Sequence, residues 1–304
     1  MIRIKEITDF LDSTKMPYTF IGDPLLTIQS YVSIENIAAH LISWIKDEKK
    51  MQSIIGKDMT NSLIVSREFD TSHLEKANFI FCDKPKAMYF MILNQFFIIE
   101  TKKKLISPTS VVETTSIGQD VYIGHHCYIG PEVVISNNVS IENNVSIQGK
   151  VSIGKNTIIN SGVVIGTDGF GFFENTDGIN VRVPHFGGVI IGEDVEIGPN
   201  TCIDRGTLGD VKIGNHVKIN NLCQIAHNVI IEDHVMIASL VHISGSVWIK
   251  KNVYISPGAT IRNQVTIGAN SLIGLGSVVV KDVEDNVVIV GVPGKKIRNH
   301  EGEK

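Results

Sequence analysis

The sequence is poor in cysteine and aromatic residues and has no long hydrophobic run. Its 304 residues include 4 cysteines without the CxxC spacing of zinc or redox sites, namely Cys82, Cys127, Cys202 and Cys223. The N-terminus MIRIKEITDFLDS lacks the apolar core of a signal peptide, and the longest apolar run, AMYFMILNQFFIIE, is too short to cross a bilayer. We therefore expect a reduced cytoplasmic protein without membrane insertion.

Strong charge of either sign is also lacking. The formal net charge is -4, and no block of like charges resembles a tail that binds nucleic acid or a membrane. The composition, 43% hydrophobic with 27 glycines, is typical of a soluble globular protein. We expect small molecules or other subunits as partners, and no nucleic acid.

A six-residue repeat dominates the rest of the chain. A branched aliphatic residue recurs at every sixth position from Val111 to Ile165, then from Ile191 to Ile203, and again from Ile213 to Val279. Hexapeptide repeats indicate a parallel β-helix, in which three short strands close a triangular coil of about 18 residues. The aliphatic residues, and Cys127 and Cys223 at the corner positions, are then predicted to form the core.

The breaks in the repeat suggest the domain organisation. Residues 1–104 lack the repeat and contain the helical pattern IENIAAHLISWIKDEKKMQSII, which predicts a small α/β domain. Residues 105–283 form the predicted β-helix, interrupted by a loop at 166–190 that is rich in glycine and aromatic residues. Long loops of this kind are usually functional, so substrate contact and subunit packing are both open for it. Residues 284–304 are read as a basic C-terminal tail.

One histidine has the spacing of a catalytic group. His227 follows the inward Ile225 by two positions and should point out of the prism, while Gly245 lies one coil later and should stack beside it. A glycine leaves its backbone N–H unobstructed, so the pair would supply a general base and a donor to an oxyanion. Spacing alone leaves an ordinary surface histidine as the alternative.

Several segments carry a family resemblance. TCIDRGTLGD, KINNLCQIAHNV, GTDGFGF and IENIAAHLISWI resemble the UDP-3-O-acylglucosamine N-acyltransferases, a family of left-handed β-helix hexapeptide acyltransferases. The resemblance spans both predicted domains. It implies a nucleotide-sugar-binding N-terminal domain, a homotrimer with sites between subunits, His227 as the base and Gly245 as the oxyanion donor. We also expect substrate contacts from the loop and the motif, at Asp168, Phe170, Phe172, His185 and Asn228.

The chain departs from the family at positions that would contact the sugar nucleotide. Asn220 stands where an aspartate is usual, which would remove a carboxylate near His227 and weaken its basicity. Trp44 corresponds to the first member of an aromatic clamp for uracil, but EKKM replaces NPKY, with Met51 in place of the tyrosine. Uracil stacking is therefore in doubt.

Other departures bear on the acyl group and its donor. Leu240 and His242 replace small residues beside the acyl path, which predicts a shorter or more polar acyl group, and Gln264 replaces a second histidine. The ending SVVVKDVEDNVVIVGVPGKKIR resembles that of sugar acetyltransferases that use coenzyme A. We expect coenzyme A contacts from Gln264, Lys295, Lys296 and Arg298, with a solvated basic tail as the alternative.

These features predict an N-acyltransferase that moves a short acyl or hydroxyacyl group from a coenzyme A thioester to the amine of a nucleotide-linked amino sugar. A dTDP-4-amino-4,6-dideoxyhexose for surface glycans, as in anthrose synthesis, is the favoured acceptor, and acyl-coenzyme A is a cosubstrate with no permanently bound cofactor. The alternative is the lipid A enzyme of the family, which uses acyl carrier protein. A zinc site of the γ-carbonic anhydrase type is disfavoured, because His227, His234 and His242 are not spaced to stack on one face. A purely structural β-helix is disfavoured by the irregular outward positions.

Overall fold

The computed structural model describes residues 1–46, 50, 56–71, 74, 76–98 and 105–300. It divides into two compact units, Met1–Thr101 and Lys102–Lys304. No helix in these ranges is both long and apolar enough to span a lipid bilayer.

The first unit is a small α/β fold. Its elements in chain order are β1 (Ile2–Arg3), α1 (Ile4–Ser13), β2 (Thr19–Ile21), β3 (Thr27–Ile28), β4 (Ser30–Tyr31), a 3-10 helix (Ile34–Asn36), β5 (Leu41–Trp44), β6 (Leu63–Ser66), β7 (Asn78–Phe81) and α2 (Pro85–Phe96). The main sheet has the order β2, β7, β6, β5, β4, and β1 pairs with β3. Helix α1 turns Ile4, Ile7 and Leu11 into the core, and α2 begins with proline at a position where no backbone N–H is needed.

The helix predicted within IENIAAHLISWIKDEKKMQSII is wrong over its described part. Residues Ile34–Asn36 form a single 3-10 turn, and Leu41–Trp44 form β5, which pairs in parallel with β6. The buried pairing of Ile42 with Leu63 outweighs the local helical pattern, because tertiary contacts override weak propensities. Residues 47–49 and 51–55, including Met51 and most of EKKM, lie outside the described residues.

The second unit is the three-sided parallel β-helix that the repeat predicts. The first wall contains β8 (Leu105–Ile106), β10 (Tyr122–Ile123), β13 (Ser140–Ile141), β16 (Ile158–Ile159), β21 (Glu196–Ile197), β24 (Lys218–Ile219), β27 (Met236–Ile237), β30 (Tyr254–Ile255), β33 (Leu272–Ile273), β35 (Val287–Val290) and β36 (Lys295–Asn299). The second contains β9 (Val111–Val112), β11 (Tyr128–Ile129), β14 (Ser146–Ile147), β17 (Val164–Thr167), β22 (Cys202–Asp204), β25 (Gln224–Ile225), β28 (His242–Ile243), β31 (Thr260–Ile261) and β34 (Val278–Val279). The third contains β12 (Val133–Ile135), β15 (Val151–Ile153), β20 (Val189–Ile191), β23 (Val211–Ile213), β26 (Ile230–Ile231), β29 (Trp248–Ile249) and β32 (Thr266–Ile267).

The repeat sets the register of the walls. Tyr122 pairs with Ser140 and Ile123 with Ile141, so neighbouring strands are 18 residues apart (140 minus 122). At the slip through DRGTLGD the step becomes 22 residues, because Ile203 pairs with Ile225. Every repeat isoleucine from Ile123 to Ile273 is at most 2% exposed, and each stabilises the core by roughly 1.5–3 kcal/mol. Cys127 and Cys223 are buried with them, as predicted for packing residues.

Two segments add strands to this frame. The loop at 166–190 contains an antiparallel hairpin, β18 (Phe172–Glu174) and β19 (Asn180–Arg182), in which the Arg182 guanidinium lies 5.1 Å from the Phe172 ring centre. The segment read as a basic tail differs from expectation. Strand β35 continues the first wall in parallel with β33, because Val287 and Val288 still supply buried aliphatic side chains, and β36 then folds back antiparallel on it.

Candidate active site

His227 and Gly245 lie side by side on the second wall. A Cβ built on Gly245 would lie 2.6 Å from Cε1 and 2.8 Å from Nε2 of His227, so the imidazole ring covers the glycine directly. Each residue follows its inward isoleucine, Ile225 or Ile243, by two positions, and these isoleucines pair across β25 and β28. The predicted juxtaposition of a base and a bare amide is therefore present in the chain.

The amide of Gly245 is a free donor. At the equivalent positions in other coils, the backbone N–H donates a hydrogen bond to a side chain one coil later. Gln119 N donates to Asn137 in this way, and His125 N donates to Asn143. Asn263 occupies that place after Gly245. Among the described residues, however, neither Asn263 nor any other group accepts a hydrogen bond from Gly245 N. The unpaired N–H is available to a ligand oxygen.

The contacts of Asn228 fix the tautomer of His227. Asn228 Oδ1 accepts hydrogen bonds from the Thr207 backbone N at 3.0 Å and the Thr207 hydroxyl at 2.9 Å. A backbone N–H can only donate, so the amide atom facing it is the oxygen. That oxygen lies 3.1 Å from His227 Nδ1, which must then carry the hydrogen. The neutral ring consequently keeps its lone pair on Nε2, beside Gly245.

A cavity of about 590 Å³ opens over this pair. Its lining combines polar side chains with small residues and comprises Phe170, Asp204, Gln224, Ala226, His227, His242, Ser244, Gly245, Ser246, Asn263 and Gln264. Of the residues expected at the site, Phe170, His242 and Gln264 thus join His227 and Gly245.

Asp204 is a site residue that the sequence analysis missed. It lies in β22, and its Oδ2 accepts a hydrogen bond from Gln224 Nε2 at 3.0 Å. Burial raises the pKa of the Asp204 carboxyl, while the Gln224 bond and the nearby imidazoles of His227, His185 and His242 act in the opposite direction. The signal in the sequence was the slip through DRGTLGD, which starts just after Ile203 and leaves Asp204 facing outward.

His185 lies behind the base. Its ring is edge-on to that of His227 at 5.6 Å between centres, and it is only 6% exposed. His185 Nδ1 donates to the Val183 carbonyl oxygen at 2.9 Å, while its buried Nε2 has no hydrogen-bond partner among the described residues. A Cβ on Gly169 would lie 2.9 Å from His227 Cδ2 and 3.2 Å from His185 Nε2, so Gly169 allows the hairpin to pack against both rings.

Asn220 does not lie beside His227 within one chain, and its expected place near the base of the site stays a prediction. Asn220 follows β24 on the first wall, where a separate hollow of about 220 Å³ lies next to Lys218 and Tyr254. Its Oδ1 accepts a hydrogen bond from Asn221 N at 2.9 Å. The reason is the six-residue period. Each hexad forms one wall, so the seven residues that separate Asn220 from His227 place the two side chains on different walls.

Other expected contacts also lie outside the cavity. Leu240 is 61% exposed at a turn. It lies thirteen residues after His227, which is two hexads and one residue, so it is on a different part of the coil. Asp168 is exposed on the loop. Phe172 stacks edge-on against Phe170, with 5.1 Å between ring centres. Trp44 belongs to the first unit, where it is half-buried, 6.4 Å from Tyr89 between ring centres.

The basic residues at the C-terminus do not line the cavity either. Lys295, Lys296 and Arg298 are exposed on β36, and Lys296 forms an ion pair with Glu284 at 2.9 Å. Their expected contact with coenzyme A stays a prediction. Among the described residues, no cluster of three histidine, cysteine or acidic side chains could hold a metal ion.

Comparisons with known proteins agree with the repeat. A family model described as bacterial transferase hexapeptide (six repeats) matches residues 132–167 and 210–245. The chain is 59% identical over 73 residues to UDP-3-O-acylglucosamine N-acyltransferase of Coxiella burnetii, and 54% identical over 74 residues to UDP-3-O-acylglucosamine N-acyltransferase 2 of Legionella pneumophila. Each match covers 24% of this chain and 21% of the relative, so the chain aligns with about a fifth of these relatives.

Solved structures share the fold. LpxA from Acinetobacter baumannii is 26% identical with a TM-score of 0.56, covering 63% of this chain and 72% of that one. LpxA from Bacteroides fragilis, a UDP-N-acetylglucosamine acyltransferase, has a TM-score of 0.57 at 24% identity, covering 63% of this chain and 73% of that one.

The fold and the repeats define a hexapeptide-repeat β-helix whose relatives and structural neighbours are acyltransferases. Within that class, the curated relatives at 53% to 59% identity are named UDP-3-O-acylglucosamine N-acyltransferases. They overturn the favoured prediction of a coenzyme A-dependent enzyme for dTDP-amino sugars and support the alternative, the lipid A enzyme.

Proposed function

We propose that the chain is an N-acyltransferase that moves an acyl group from a thioester to the amine of UDP-3-O-acylglucosamine. The observation that carries this proposal is the His227 imidazole lying over the free amide of Gly245. The named relatives supply the acceptor class, and the cavity is large enough for the reacting part of a sugar nucleotide.

The chemistry follows from the tautomer of His227. Its Nε2 takes a proton from the substrate ammonium, and the freed amine attacks the thioester carbonyl carbon. The carbonyl oxygen becomes an oxyanion, to which Gly245 N–H donates a hydrogen bond. Collapse of the tetrahedral intermediate breaks the carbon–sulfur bond, and the thiolate takes the proton of the His227 imidazolium. The attacking nitrogen still carries one proton more than an amide, and the regenerated imidazole removes it and passes it to solvent. The products are an amide, a free thiol and one proton.

Asn228 has a positioning role in this scheme. Its oxygen holds the Nδ1–H of His227 and so keeps the Nε2 lone pair toward the acceptor. An amide oxygen stabilises a developing imidazolium less than a carboxylate would. The base therefore has an amide, and not a carboxylate, as the partner of its Nδ1–H. The sequence analysis expected a missing carboxylate at Asn220, whereas the residue that contacts the ring is Asn228.

We also propose a homotrimer in the cytoplasm. The exposed apolar side chains Met236 and Tyr254 on the first wall would then be covered by neighbouring subunits. Light scattering on the purified protein measures this mass directly, and a stable monomer at micromolar concentration would contradict it.

The proposed function is tested by thiol release. Acyl carrier protein and coenzyme A thioesters are each supplied with UDP-3-O-acylglucosamine, and a dTDP-4-amino-4,6-dideoxyhexose serves as the comparison acceptor. We expect one thiol and one new amide per turnover with UDP-3-O-acylglucosamine. If neither thioester releases thiol with this acceptor, the proposal fails.

A further inference from the structure

Asp204 brings a negative charge into the cavity. Among the described residues lining it, Asp204 is the one carboxylate, and it reaches the cavity from the same wall as His227. Extending the register of β22 and β25 by one residue places Ala226 beside Asp204, and His227 follows Ala226 in the chain. The carboxylate and the base therefore flank the same small space.

The carboxylate has spare bonding capacity. Gln224 Nε2 donates to Oδ2, and within the described ranges no lysine or arginine pairs with Asp204 and no group donates to its Oδ1. The next outward positions along this wall are Ala226 and Ser244, whose small side chains leave room above it. A carboxylate accepts about four hydrogen bonds, so several positions are open to a ligand.

The electrostatics favour a cation there. Partial burial disfavours the ionised form of Asp204 and raises its pKa, and a positive charge at hydrogen-bond distance would reverse that penalty. A substrate ammonium would supply this charge.

We propose that Asp204 binds the ammonium group of the acceptor and makes this site select amines over hydroxyls. This inference rests on the proposed function. The ammonium donates one hydrogen to Asp204 and one to His227 Nε2. His227 removes the latter proton, while the hydrogen on Asp204 holds the nitrogen in place as its lone pair turns to the thioester. A hydroxyl acceptor brings no charge and gains little from the carboxylate.

The test compares two ligands that differ at one group. Calorimetry at about pH 7, where an amine of this type is mostly protonated, measures the binding of UDP-3-O-acylglucosamine and of its 2-hydroxy analogue, UDP-3-O-acylglucose. Wild type is compared with Asp204→Asn, which keeps the shape and can still accept from Gln224. The matched control is Glu132→Gln, which removes one exposed carboxylate outside the cavity.

We expect wild type and Glu132→Gln to prefer the amine by about tenfold or more, the usual scale for a hydrogen bond to a charged group. Asp204→Asn should lose most of this preference and raise KM for the amine acceptor, while the affinity for the hydroxy analogue stays nearly unchanged. If Asp204→Asn does not fold, Asp204→Ser serves in the same comparison.

Two results separate the inference from the proposed function. An Asp204→Asn enzyme that N-acylates with an unchanged KM and keeps the full preference would overturn the role of Asp204 alone. A wild-type protein that neither binds nor acylates UDP-3-O-acylglucosamine would overturn both.

Discussion

Replacing Gly245 with alanine places a methyl group against the proposed base. The new Cβ would lie 2.6 Å from His227 Cε1, which is 0.8 Å short of the 3.4 Å at which ordinary contact begins. The backbone at Gly245 needs no positive φ, so the imidazole at the end of its side chain is the part that moves. A displacement of roughly 1 Å also stretches the 3.1 Å contact between His227 Nδ1 and Asn228.

The expected effect is on turnover and not on folding. A misplacement of about 1 Å at a reacting group lowers the rate by about 10²-fold, or about 2.7 kcal/mol in the activation barrier. The methyl group also shields the Gly245 amide from the oxyanion, which acts in the same direction. The melting temperature should change by only a few degrees, because no buried backbone is displaced.

Steady-state thiol release, with melting curves on the same samples, measures both quantities. The matched control is Gly209→Ala, since a Cβ at Gly209 meets nothing within 4 Å. We expect this control to retain wild-type kcat. A Gly245→Ala enzyme whose kcat stays within about threefold of wild type would refute the reasoning, since a displacement of this size predicts a far larger loss.

Three further predictions address the base, the carboxylate and the core. Asn228→Leu should lower kcat by about tenfold through loss of ring orientation, with a smaller change in KM; unchanged kcat would show that Asn228 does not position His227. Because burial raises the pKa of Asp204 in the folded state, the stability linked to this group is present below the unfolded pKa and is lost as pH rises through the folded pKa; Asp204→Asn should therefore gain stability relative to wild type across that window in chemical denaturation, and a relative loss would contradict the sign. Ile225→Ala should destabilise the prism by about 2–5 kcal/mol because the side chain is fully buried, whereas Ile225→Val should lose only about 0.5–1.5 kcal/mol; equal unfolding midpoints for the two variants would contradict a close-packed interior.

The six-residue period predicted most of the second unit. Every aliphatic position from Ile123 to Ile273 points inward, and the pairing of Ile225 with Ile243 followed from the length of one coil. The period was readable because each coil repeats the same contacts with its neighbours, so local sequence and tertiary packing carry the same information. His227 and Gly245 could be paired for that reason.

The period gave no guidance where it is interrupted or absent. The family resemblance, and not the period, associated Asn220 with His227, and within one chain the hexads assign the two residues to different walls. Asp204 was missed because the four-residue slip after it hides its alignment with Ala226. In the first unit, Leu41–Trp44 became a strand through pairing with distant residues, which a local pattern does not reveal.

The central claim is that His227 removes the ammonium proton, and its most direct measurement is the pH dependence of kcat/KM for wild type and His227→Ala with UDP-3-O-acylglucosamine. For wild type we expect a rate that falls on the acid side as the imidazole is protonated. The alanine variant should lose about 10²- to 10⁴-fold at neutral pH together with that acid limb. An alanine variant with near wild-type rates and the same acid limb would contradict the account.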